Sequence, residues 1–178
     1  MNELELLVRA ASFAAHKHRH QARKNAESTP YINHPLAAAE LLAAEGGVTD
    51  AIVLAAAILH DTIEDTQTTG EELTALFGAE VSSVVAEVTD DKTLPKVRRK
   101  ALQIEHAAHI SSRAKLVKLA DKICNVRDVA HDPPKGWPLQ RRQEYFDWAK
   151  QVVDRLRGAN ARLEAKFDQL YTLRPGGG

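Results

Sequence analysis

Apolar residues recur along this chain at three- and four-residue intervals, and strand-like alternation is nearly absent. That spacing predicts one helix after another. The first covers about Glu3–His20, with Leu4, Leu7, Val8, Ala11 and Ala14 or Ala15 as its apolar stripe. Pro35, directly after His34, suits the first turn of a second helix that ends at Gly46-Gly47. Asp50 can cap a third, whose segment 51–59 is almost wholly apolar and predicts burial on every side. Thr68 with Glu71, or Thr69 with Glu72, offers a capping box for a short helix ending near Gly78. Further helices are expected from about Ala79 to Asp90 and from Thr93-Leu94-Pro95 onward. A long one should start at Ser111 or Ser112 and run through Asp128. Asp132-Pro133-Pro134 and Gly136-Trp137-Pro138 break the chain before helices at about Leu139–Arg157 and Asn160–Tyr171. The pattern predicts one all-α domain of eight to ten helices over 1–173, followed by a disordered tail, 174–178.

Composition narrows the function classes. With 178 residues and 44% hydrophobic, the chain is long enough for one well-packed core. Twenty-four basic residues balance twenty-four acidic ones, which argues against a general nucleic-acid or membrane-surface binder. Aromatics at 5% are too few for a base-stacking platform. The single Cys124 excludes an internal disulfide and any all-cysteine zinc site, and fits a small packing residue. No apolar run approaches the roughly 18 residues of a membrane span. The acidic start, Met1-Asn2-Glu3-Leu4-Glu5, does not lead into a signal-like segment. A cytoplasmic protein is expected.

The chemistry concentrates after the apolar third helix, in His60-Asp61-Thr62-Ile63-Glu64-Asp65. Three carboxylates at a helix C-terminus oppose the dipole, each at a cost of a few tenths of a kcal/mol or more. Glu64, four residues after His60 and three after Asp61, can share one side of that helix with both. A bound cation removes the conflict, so the cluster reads as a metal site. Two further ligands are needed. His34 stands at a helix entrance. Asp121 borders the core stripe Leu116, Leu119, Ala120, Ile123 and Val126, with Asn125 and Asp128 continuing its line. Two imidazoles and two carboxylates suit Mn²⁺, Fe²⁺ or Zn²⁺ and leave positions for water and a phosphoryl oxygen. His16, His18, His20, His106, His109 and His131 lack such company and are expected at the surface. The run Lys96–Lys100 is expected to be a solvated helix face.

The ordered set Arg23-Lys24, Tyr31-Ile32-Asn33-His34-Pro35, His60–Thr66 and Leu119-Ala120-Asp121-Lys122 resembles the HD superfamily of metal phosphohydrolases. Within it, the set is similar to the hydrolase domain of Rel/SpoT alarmone enzymes. Val88–Pro95 and Gln143-Glu144-Tyr145-Phe146 look closer to the stand-alone small alarmone hydrolases, the metazoan SpoT homologues. The likeness spans about Leu4–Leu170. It implies a 3′-pyrophosphohydrolase that converts ppGpp, and by extension pppGpp, with Mn²⁺ as the usual metal. It further implies His34, His60, Asp61 and Asp121 as ligands, and Glu64 and Asp65 as the pair that orients and deprotonates the attacking water. Arg23, Lys24 and Asn125 match nucleotide-holding positions, and Lys96 and Tyr145 match phosphate and nucleotide contacts. The partner is then a small-molecule nucleotide rather than nucleic acid or membrane. No sequence signal bears on oligomeric state.

Two other readings compete. One is an HD phosphatase for another nucleotide phosphate, such as the 2′-phosphate of NADPH or a deoxynucleotide. The other is a non-catalytic helical module, whose mark would be a missing ligand or base. All those positions are filled.

Overall fold

In the computed structural model, which describes residues 1–176, the periodicity becomes ten α-helices. They are α1 (Glu3–Lys17), α2 (Asn33–Glu40), α3 (Ala51–Leu59), α4 (Thr62–Asp65), α5 (Gly70–Phe77), α6 (Ala79–Val88), α7 (Lys96–Ala107), α8 (Ser112–His131), α9 (Leu139–Leu156) and α10 (Ala161–Tyr171). A π-helical turn, Leu41–Glu45, extends α2. Among the described residues the sole β feature is a bridge between Ala22 and Pro30.

Helix α3 forms the centre because it is apolar all round. Val53, Ala55, Ala56, Ala57 and Leu59 are each essentially inaccessible. Its alanines let α1, α2, α6 and α8 approach closely on different sides. Helix α8 is the second axis. It packs on α2, α3, α6, α9 and α10, and it buries Val117, Leu119, Ala120, Ile123 and Cys124. Burial pushes the Cys124 thiol up to about 12, so it is an unreactive packing residue. Leu116, expected in the stripe, is only half-buried.

Local capping follows the predicted chemistry. Asp50 accepts from the Ile52 amide at the start of α3, and Ser111 accepts from Ala114 at the start of α8. Of the two candidate boxes, Thr69 is the one that caps, accepting from the Glu72 amide. Some boundaries differ. Helix α1 stops at Lys17 rather than His20, α6 stops at Val88, and α8 continues to His131. Near the C-terminus, Arg174 pairs with Asp147 and the Gln143 amide donates to the Pro175 carbonyl. The remainder of the expected tail, 177–178, lies outside the described residues.

The most consequential difference is at the acidic cluster. It does not form the last turn of the apolar helix, because α3 ends at Leu59. Thr62 Oγ1 donates to the Leu59 carbonyl and His60 Nδ1 to the Ala57 carbonyl, both at 2.7 Å. These side chains take up carbonyls that a continuing helix would have bonded. Glu64 and Asp65 therefore lie in a separate short turn, α4, beyond the end of α3. Farther away, Asn160 caps α10 through the Arg162 and Leu163 amides and also donates to the Gly46 carbonyl. The substitution Asn160→Ala should lower stability by about 1–2 kcal/mol in urea denaturation. An unchanged midpoint would contradict this account of the cap.

Candidate metal centre

Four elements aim side chains into one chamber of about 160 Å³. The first turn of α2 supplies His34, the end of α3 supplies His60 and Asp61, α4 supplies Glu64 and Asp65, and the middle of α8 supplies Asp121. Donor atoms of His34, His60 and Asp121 lie within 4.8 Å of one another. Asp61 joins them at the edge, its Oδ2 3.1 Å from His60 Nε2 and 3.9 Å from His34 Nε2.

The proton positions decide what this cluster can hold. The Ala57 carbonyl can only accept, so His60 Nδ1 carries a proton. A neutral His60 then presents a lone pair at Nε2, a buried atom with no hydrogen-bond partner. That lone pair faces Asp61 Oδ2 at 3.1 Å and Asp121 Oδ1 at 3.6 Å, both acceptors. Three electron-rich atoms so close need a proton or a metal cation among them. With protein atoms alone, burial opposes charge on His60, but Asp61 and Asp121 outweigh it and raise the imidazole well above its usual range. Burial likewise works against the two carboxylates. His60 and His34 outweigh it at Asp61, and Lys122, His34 and His60 do so at Asp121, holding both low. A divalent ion meets the same demand with neutral rings, and the two-imidazole, two-carboxylate donor set fits one.

The surroundings fix these groups. The Tyr31 hydroxyl lies 2.7 Å from Asp61 Oδ2 and 3.1 Å from Asp65 Oδ2, sharing its one proton between the two carboxylates. Glu64 accepts from the Asp90 amide at 3.2 Å, while Lys92 and Arg99 each stand 3.9 Å away. Burial raises the Glu64 carboxyl, partly offset by the Asp90 amide and reinforced by neighbouring carboxylates. Lys92 also pairs with Asp65. Asn125 donates to Asp121 Oδ1 and accepts from Arg23 at 3.1 Å, and Arg23 also pairs with Asp128 at 2.7 Å.

Beside the chamber lies a larger cavity of about 590 Å³, and Arg23, Tyr31, His34, Asp65 and Asn125 line both. Exposed Lys24 borders the larger one. Lys96 is not beside the acidic cluster; it lines a neighbouring cavity of about 550 Å³ with Arg141 and Trp148. Tyr145 borders both outer cavities, and burial pushes its phenol up to about 12.

Several residues that matter here went unmarked in the sequence reading. Lys118 and Lys122 are buried. Their signal was the row Ala114, Lys118, Lys122, Val126, one side of α8 at four-residue steps. His18, expected at the surface, is 2% exposed, and its ring packs against Tyr31. It continues the buried row Ala10, Ala14. Arg99, in the expected solvated run, turns inward toward Glu64.

An HD-domain family model matches residues 10–147. The chain belongs to the HD-domain family. This HD domain is 58% identical over 170 residues to the Xenopus tropicalis guanosine-3′,5′-bis(diphosphate) 3′-pyrophosphohydrolase MESH1, covering 96% of this chain and 95% of the relative. It is 56% identical to the Homo sapiens protein of the same name, covering 97% of each. A solved structure described as a metazoan orthologue of SpoT that hydrolyses ppGpp superposes with a TM-score of 0.93 at 50% identity, over 95% of each chain.

The centre generates a graded prediction. Isothermal titration with Mn²⁺ should show no binding by His60→Ala or Asp61→Ala. Tyr31→Phe should bind about tenfold more weakly, since it loses only a bond that orients Asp61 and Asp65. Wild-type affinity in the Tyr31 variant would remove that role.

Proposed function

We propose that this chain is a metal-dependent 3′-pyrophosphohydrolase of guanosine 3′,5′-bis(diphosphate), releasing GDP and pyrophosphate. The observation that carries the reading is that the His/Asp chamber shares Arg23, Tyr31, His34, Asp65 and Asn125 as lining with a cavity of about 590 Å³, a size suited to a nucleotide. The names borne by the MESH1 relatives supply the substrate.

His34, His60, Asp61 and Asp121 would hold the ion, and Mn²⁺ is the assignment, with Zn²⁺ and Fe²⁺ sharing its donors. When bound, the ion would acidify water and neutralise charge on a phosphoryl oxygen. Glu64 and Asp65 orient the attacking water and take its proton. Burial keeps the Glu64 carboxyl above its ordinary range, nearer the basicity that general-base work at neutral pH needs. Arg23, anchored through Nη2 by Asp128 and Asn125, offers its guanidinium to the guanine. Lys24 stands at the mouth of the same cavity for phosphate, and Asn125 ties the nucleotide side to Asp121. Lys96 and Tyr145 serve the outer phosphates from the adjoining cavity. Among the described residues no helix is long and apolar enough to cross a membrane, and a lone buried cysteine fits a cytoplasmic setting.

The direct test is ppGpp hydrolysis by chelator-stripped protein with and without Mn²⁺, products resolved by chromatography and NADPH run in parallel. Mn²⁺-dependent GDP and pyrophosphate are expected. Phosphate from NADPH with no ppGpp turnover would replace the substrate. In the same assay Glu64→Gln should keep its metal and lose about 10²-fold or more in kcat. Arg23→Ala should chiefly raise KM, and a pure kcat loss would contradict its binding role.

A further inference from the structure

Lys122 is a charged side chain in a place where charge is costly. It is 3% exposed, in the middle of α8, and lines the chamber that holds the His/Asp cluster. An ammonium beside a divalent cation site repels the ion, so a chain selected for metal affinity alone would place a neutral residue there. Its contacts explain why it is retained. Lys122 Nζ donates to Asp121 Oδ2 at 3.0 Å. The other oxygen, Oδ1, faces His34 Nε2 at 3.1 Å and His60 Nε2 at 3.6 Å, and accepts from Asn125. The two oxygens of one carboxylate are thus divided, one toward the cluster and one held away from it.

Lys122 is itself held. Its ammonium sits 4.4 Å from the centre of the Trp148 ring, a favourable placement for a desolvated cation. The indole is fixed in turn, its N–H donating to the Lys100 carbonyl at 3.1 Å. Helices α7 and α9 therefore both bear on the Lys122 ammonium, α9 through the Trp148 ring and α7 through the carbonyl that fixes it.

We infer that Lys122 is a positioning residue that keeps Asp121 to one ligating oxygen, with Trp148 as the surface that secures it. This rests on the metal-hydrolase reading above. Freed from Lys122, Asp121 can turn its second oxygen to the ion. Affinity then rises, through the extra donor and the lost repulsion, while the position needed for water or substrate is taken.

The test is Mn²⁺ titration calorimetry together with steady-state ppGpp hydrolysis on the full chain. Lys122→Met should bind Mn²⁺ about fivefold or more tightly, because a nearby like charge is gone. Its kcat should fall about tenfold or more, with little change in KM. Lys122→Gln keeps an N–H for Oδ2, so it should retain most of the wild-type kcat while still binding Mn²⁺ more tightly. A merely structural ion pair predicts the opposite sign, weaker metal binding in both variants, and that result would overturn the inference. So would a kcat loss in Lys122→Gln as deep as in Lys122→Met. Should the methionine variant not fold, the glutamine variant decides by the same two readouts. If the wild-type protein itself bound no Mn²⁺, the metal reading would fail and this inference with it.

Discussion

The carbonyl oxygen of Ala57, at the end of an apolar helix, accepts a hydrogen bond from His60 Nδ1–H, so that a neutral ring carries its lone pair at Nε2. That lone pair points at two buried carboxylates. Much of the remaining architecture follows from this repulsion. It needs a rigid apolar helix to fix the ring, a second helix to bring Asp121 from the far part of the chain, and a proton or a cation to relieve it. Buried ion pairs are weak evidence of stability, since desolvation offsets most of their attraction. The arrangement makes sense as a metal-holding device inside the core rather than as a staple for the fold.

Charge is balanced locally as well as overall. The chain has formal charge zero, yet the chamber collects Asp61, Glu64, Asp65 and Asp121 with Lys118, Lys122, Lys92 and Arg99 around them. Glu64, Asp65 and Asp121 thereby each have a cationic neighbour, while Asp61 faces the two imidazoles. Lys118 donates to the Val88 carbonyl at the end of α6, and Asp90, two residues later, supplies the amide that Glu64 accepts. Tyr31 joins Asp61 to Asp65, and Asn125 joins Asp121 to Arg23. The His/Asp chamber and the larger cavity beside it are thus linked by hydrogen bonds.

The helical order was legible in the chain because it rests on local chemistry. Apolar spacing, the Asp50, Thr69, Ser111 and Asn160 caps, and the Gly and Pro breaks act within a few residues. The ligand set could be proposed from residue type and from the resemblance carried by the ordered motifs. Helix ends were less legible. The break after Leu59 depends on Thr62 and His60 competing for carbonyls, a choice that periodicity does not reveal.

By itself the sequence determined an all-α chain with His34, His60, Asp61 and Asp121 as one candidate set, since spacing and side-chain chemistry are properties of the chain alone. Only the tertiary structure decided which charges are buried and whom they face. The burial of Lys118 and Lys122 was not legible in the sequence because nothing local says that α6 and α9 cover that side of α8. Tyr31 read as part of a motif, and its hydroxyl became a bridge only when the segment before α2 came against Asp61 and Asp65. Burial and partnership depend on distant segments, and the free energy of a charge is set by those surroundings rather than by its neighbours along the chain.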